Sequence, residues 1–264
     1  TSAGSDLSSF DALQGGETLT LSGSGTSASA NVANGIAMSS NGNLALVDGT
    51  GLASNYSLNS TVINITERVL NSSGSKIYDA NTDALAADIT LSNLVSGEAL
   101  NHSGTATISS ANAGSYTITN LAGITIADGS GGTASNYTLT GGTHNFTTNQ
   151  RPLNVTLARQ YDGTSNAAGS DLSSFDALQG GETLTLSGSG SAVNDNVANG
   201  ISVSSLGTLA LVNGTGLASN YSLNSAAINI TQRVLNSSGS KTYDANTNAL
   251  AADITLSNLV SGET

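Results

Sequence analysis

The chain of 264 residues has no cysteine, no tryptophan, one proline and one methionine. Without cysteine there is no disulfide framework and no thiolate to hold a metal. Basic residues are scarce, with 6 Lys and Arg against 18 Asp and Glu, for a net charge of −12. That balance argues against nucleic acid and anionic membrane surfaces as partners, since both recruit clustered positive charge. No apolar run approaches the roughly 18 residues that span a bilayer, so no membrane insertion is expected. No signal-peptide pattern is present either. The two histidines, His102 and His144, leave little material for imidazole chemistry.

Ser, Thr, Asn and Gly supply 133 of the 264 residues. The apolar share, 38%, is too large and too regularly spaced for a disordered chain. The chain also copies itself. Positions 1–99 return as 166–264 with no insertion or deletion, and 81 of the 99 pairs are identical. This long period divides into two diverged halves. Arg68-Val69-Leu70-Asn71, Arg151-Pro152-Leu153-Asn154 and Arg233-Val234-Leu235-Asn236 open successive units. A Tyr-Asp pair follows each opening, at Tyr78-Asp79, Tyr161-Asp162 and Tyr243-Asp244. Each closing carries Ala-Ser-Asn-Tyr, with the tyrosine at Tyr56, Tyr137 and Tyr221. The organisation expected is a truncated module at 1–67, whole modules at 68–150 and 151–232, and a second truncated module at 233–264. The chain reads as a window on a longer array, and arrays serve length, avidity or spacing.

The local pattern is β. Residues 17–22, 62–66, 88–91 and 115–119 alternate polar and apolar side chains and are rich in Thr, Ile, Val and Tyr. Turn signals separate them, among them Asn34-Gly35, Ser96-Gly97 and Gly141-Gly142. Several short strands at this spacing predict tandem, Ig-like β-sandwich modules in an elongated array; β-grasp-like modules or a β-solenoid are the alternatives. One helical turn or two is possible over 6–13, where Asp6 caps Leu7, Phe10 and Leu13. The densest run of differences between the long copies, 26–30 against 191–195, is expected in a loop.

Tyr161-Asp162-Gly163-Thr164, then Gly181-Glu182-Thr183-Leu184, then Ala218-Ser219-Asn220-Tyr221 and Ile228-Asn229-Ile230-Thr231 recur in order along the whole chain. In that order they resemble the YDG (MBG-related) repeats of giant bacterial surface proteins, including filamentous-haemagglutinin-like adhesins exported by two-partner secretion. The resemblance implies a non-enzymatic, all-β stalk or matrix module of an extracellular or cell-surface adhesin, acting in cell adhesion and biofilm formation. Its partners would be neighbouring repeats or copies of itself. Two rival readings remain: repeats that bind extracellular polysaccharide, and a self-assembling filament whose modules are completed by strand addition.

Candidate sites for chemistry are few. Asp79, Asn81 and Asp83 space oxygens at alternate positions, as the start of a calcium loop does, but Thr90 stands where such a loop places a bidentate glutamate. An Asx turn is the competing reading. A Ser-His-Asp hydrolase would need a base and an orienting acid that this pattern does not specify. Lys76 and Lys241 read as surface cations ahead of the Tyr-Asp turn, and Arg159 replaces them in the third copy.

Overall fold

The computed structural model describes residues 2–3, 10, 13–59 and 61–263. The chain is all-β with curled sheets. Among the described residues the only helical pieces are three-residue 3-10 turns, such as Ala134–Asn136 and Ala218–Asn220. Most of 6–13, where a helical turn was expected, lies outside the described residues. Its copy is informative, however. There Gly169–Asp171 forms a 3-10 turn and Leu172–Phe175 is a strand. In that copy the apolar residues at 172 and 175 belong to a sheet and not to an α-helix.

The structure divides into two compact units. One comprises Thr1–Gly74, Leu85–Ala106 and Asn120–Asn145; the other comprises Ser75–Ala84, Thr107–Thr119 and Phe146–Thr264. Both units take part of the 68–150 repeat.

In the first unit a four-stranded sheet runs in the order Ser2–Ala3, Ser24–Ser27, Ala33–Ser40, Val62–Ile65. Leu19–Ser22 pairs antiparallel with Ala45–Asp48 beside it. Further along, Ile89 to Ser92 pair antiparallel with Gly74 to Asn71, and Leu100 to Gly104 pair with Asp128 to Ile124. Tyr137 and Thr138 run parallel to Arg68 and Val69. Leu70, just after that pair, is completely buried.

The second unit is built on a six-stranded sheet. Its order is Asn166–Ala168, Ser189–Ala192, Ala198–Ser205, Tyr221–Thr231, Arg151–Gln160, Leu172–Phe175. The two long strands are parallel and share ten register partners, from Arg151 opposite Tyr221 to Gln160 opposite Thr231. Alternation in sequence becomes alternation in burial. Leu153, Val155 and Leu157 point inward from one strand, and Ala226, Ile228 and Ile230 from the other. Val155, Leu157, Ala226, Ile228 and Ile230 form a continuous apolar core with Ala167, Ile201 and Leu209, while Leu153 belongs to a second cluster with Tyr78, Leu184 and Tyr221. Each fully buried leucine or isoleucine there is worth about 1.5–3 kcal/mol of transfer free energy. The one proline, Pro152, sits at the second residue of its strand, near the end where a missing ladder donor is tolerated.

Two expectations need correcting. Asn34-Gly35, read as a turn, lies inside the strand Ala33–Ser40. Gly35 takes φ +66° and the register shifts between Ala33 and Ile36, so the pair forms a bulge. Asn64 Oδ1 accepts from the Gly35 N–H at 2.7 Å and holds it open; Asn229 does the same for Gly200 in the other copy. The variable run 26–30 is also not wholly a loop. Thr26 and Ser27 lie in a strand, and Ala192, the counterpart of Ser27, is buried in the core. The change is tolerated because both side chains are small.

Candidate functional site

The Tyr-Asp loops come first, because the calcium reading rested on them. In the first, Asp79 Oδ1 accepts from the Asn81 N–H, and Asn81 Oδ1 accepts from the Asp83 N–H, two linked Asx turns. The oxygens so gathered surround Lys76. Its ammonium donates to Asn81 Oδ1 at 2.8 Å, to Asn81 O at 2.9 Å and to Asp83 O at 2.7 Å, and lies 2.8 Å from Asp79 Oδ1. The Lys76 side chain is only 7% exposed, so it is an internal cation and not a surface one. Lys241 repeats the arrangement with Asp244, Asn246 and Asn248. Its ammonium, hydrogen-bonded to Asp244, holds that carboxyl below the usual aspartate range. Arg159 reaches Asp162 and the Thr164 carbonyl in the third loop. Thus the oxygens of Asp79 and Asn81, candidates for a cation, face a cation that the chain itself supplies.

The turn residue after Asp is left-handed in all three loops: Ala80 at φ +65°, Gly163 at +74° and Ala245 at +63°. Only glycine adopts this without strain. In two of these loops the preceding tyrosine, Tyr78 or Tyr161, reaches a carboxylate, whereas Tyr243 is 89% exposed.

The carboxylate that Tyr78 reaches is a glutamate of the next repeat. Tyr78 donates to Glu182 Oε1 at 2.6 Å, and Tyr221 donates to Glu182 Oε2 at 2.5 Å. The two rings meet edge to face, with centroids 5.3 Å apart and planes at 77°. Leu153 and Leu184 close the apolar side of the cluster. Both phenols are pushed up to about 12, first by burial and then by the Glu182 hydrogen bonds. Arg151 ties the backbone in place, donating from Nη1 to the Tyr78 carbonyl at 3.3 Å and from Nε to the Ala177 carbonyl at 2.9 Å.

A second contact accompanies it. Asn220, 1% exposed, accepts from the Ala113 N–H at 2.9 Å and donates to Asn112 Oδ1 at 3.0 Å. Gln150 donates to the neighbouring Ser219 carbonyl. One repeat earlier, Asn136 accepts from the Val32 N–H at 2.9 Å and donates to Asn31 Oδ1 at 3.0 Å. The turns at Asn136 and Asn220 are therefore each seated on the preceding repeat, by the same atoms in both cases.

The hydroxyls of all three closing tyrosines, Tyr56, Tyr137 and Tyr221, meet a carboxylate. The glutamates were not anticipated as site residues. One signal for them was present: Glu17–Tyr56, Glu98–Tyr137 and Glu182–Tyr221 all pair across 39 residues.

The histidines stand apart from this joint. His102 Nε2 lies 3.0 Å from the Ala86 carbonyl and 2.9 Å from the Ile89 carbonyl. His144 Nε2 lies 2.8 Å from the Leu139 carbonyl, so it carries the proton, and Nδ1 accepts from Ser72 at 2.9 Å. Ser72 is 3% exposed, and a carbonyl, not a carboxylate, holds the far side of the imidazole. Among the described residues no three His, Asp or Glu side chains gather as a metal site.

A family model described as the YDG domain matches the chain twice, at residues 65–144 and 149–230. The two matches cover more than half of the sequence, and the chain belongs to the YDG domain family. No curated protein and no solved structure matches it.

Proposed function

We propose that the chain is a load-bearing segment of a bacterial surface or secreted adhesin, in which Ig-like β-sandwich repeats form an elongated stalk or matrix. The modules are those at 1–67, 68–150, 151–232 and 233–264. The adhesive contact lies elsewhere in the protein, and the repeats act in cell adhesion and biofilm formation by setting distance and stiffness. Export by two-partner secretion accompanies this reading through the family resemblance.

The observation that carries it is the joint at Glu182. A half-buried carboxylate taken by two buried tyrosines from successive repeats, with Asn220 seated on Asn112 and Ala113, is machinery for holding repeats in a fixed relation. Flexible linkers would need none of it. The tyrosines at the joint are committed to it, and a glycan-binding reading would need them exposed.

Small-angle scattering of residues 1–264 tests the proposal. A compact chain of this length has a radius of gyration of about 18 Å. A stalk gives a value well above that, with an extended distance distribution. A value near 18 Å overturns the reading, as does saturable binding of a polysaccharide by the repeats.

A further inference from the structure

Resting on the reading of the chain as a run of jointed repeats, we infer that the 151–232 repeat and residues 233–264 together form a docking socket for one more Ala-Ser-Asn-Tyr turn, that of a repeat of the 68–150 kind. The socket is a cleft of about 430 Å³ lined by Tyr161, Val197, Arg233, Leu235, Leu259 and Glu263.

Five of the residues lining this cleft, Tyr161, Val197, Arg233, Leu235 and Glu263, have counterparts in the joint already occupied by Asn220 and Tyr221. Tyr161 donates to Glu263 Oε1 at 2.7 Å, as Tyr78 does to Glu182 Oε1. Arg233 Nη1 donates to the Tyr161 carbonyl, as Arg151 Nη1 does to that of Tyr78. Asn196-Val197 stands where Asn112-Ala113 and Asn31-Val32 stand in their repeats. What differs is cover. Leu70 and Leu153 are 0% exposed, whereas Leu235, at the same place in its opening, is 42% exposed. Val197 is 46% exposed. Glu182 Oε2 takes Tyr221; among the described residues no donor reaches Oε2 of Glu263. The socket is preformed in its polar contacts and open on its apolar side.

The identity of the occupant follows from order along the chain. Asn196-Val197 repeats Asn31-Val32, and the turn seated there belongs to the 68–150 repeat, at Asn136. Residues 233–264 repeat 68–99 with differences at three positions, so the glutamate in the socket is also of that kind. The incoming asparagine accepts from the Val197 N–H and donates to Asn196 Oδ1. The incoming tyrosine donates to Glu263 and covers Leu235.

The test extends residues 1–264 by appending a second copy of residues 100–150 after Thr264. The Val197 amide should then exchange at least about tenfold more slowly than in residues 1–264. Replacing the appended counterpart of Asn136 by Ala should return it to the fast rate. Fast exchange at Val197 while the appended strands are themselves protected overturns the inference, and an extended scattering profile for the same sample leaves the stalk reading standing. Concentration-dependent protection of Val197 in residues 1–264 alone also overturns it, because the occupant is then a second copy of this chain. If the appended segment does not fold, a peptide of residues 131–140 is titrated into the native chain. A saturable shift of the Val197 amide signal, absent with the Asn136→Ala peptide, supports the socket; no shift up to the solubility limit overturns it.

Discussion

Tyr78 and Tyr221 donate to the two oxygens of a single carboxylate, Glu182, at 2.6 and 2.5 Å. The residues come from successive repeats, and neither ring is more than 3% exposed. The joint is therefore a buried polar cluster whose parts depend on one another.

Glu182→Gln should expose that dependence. A glutamine offers one acceptor oxygen in place of two, so one phenol proton loses its partner in a buried site. The expected loss is about 1–3 kcal/mol, read as a lower denaturation midpoint at unchanged slope. Glu98→Gln is the comparison, since within the described residues Glu98 serves Tyr137 alone, and its loss should be smaller.

The same cluster predicts a response to alkali. Tyr78 and Tyr221 titrate at about 12 in the folded protein, against about 10 in an unfolded chain. The folded state therefore holds these protons more tightly than the unfolded state. The stabilisation is fully present below pH 10 and is lost as the pH rises from about 10 to 12. Tyr78→Phe should flatten that decline, as measured by denaturation midpoints across the range. An unchanged decline in the variant would count against the assignment.

Lys76 should matter more than an exposed lysine does. Lys76→Met leaves the Asp79 carboxylate and the Asn81 and Asp83 carbonyls without their cation. Complete burial would make the cost about 3–5 kcal/mol; Asp79 is 37% exposed, so about 2 kcal/mol is expected. Calcium should leave the melting temperature of the native chain unchanged, because the lysine ammonium holds the oxygens. A rise in melting temperature with calcium would show the reverse.

Backbone strain at the Tyr-Asp turn gives a change of opposite sign. Ala80→Gly relieves a left-handed alanine and should stabilise by about 0.5–1 kcal/mol, after the extra flexibility of glycine in the unfolded chain is subtracted. Gly163→Ala should destabilise, since its methyl would also lie 2.7 Å from Val260 Cγ1. Thermal melting of both variants settles the pair.

Much of this architecture is legible in the sequence, and the exceptions are physical. Alternation over 62–66 marks a strand because burial has period two, and Val62–Ile65 is one. Asn34-Gly35 misleads because the same dihedral that closes a turn also opens a bulge. Which one forms depends on Asn64, 29 residues away. Lys76 reads as a surface charge until the loop curls around it, and that curl needs the left-handed Ala80. Glu182 is the hardest to see, since Tyr78 lies 104 residues from it and the bond exists only once the repeats are packed. Interactions within a repeat leave a spacing in the sequence; those between repeats leave only recurrence.

The parallel pairing of Arg151–Gln160 with Tyr221–Thr231 has a mechanical consequence. The first and last strands of the repeat lie side by side, so the chain enters at one end of the pair and leaves at the other. Tension along the polypeptide pulls these strands past each other lengthwise. The ladder is then loaded in shear, its bonds sharing the force and failing together. Strands peeled from one end would instead break one bond at a time. Forced rupture is governed by the height of the unfolding barrier, not by the equilibrium stability. The repeat can thus be thermodynamically modest and still resist being pulled apart.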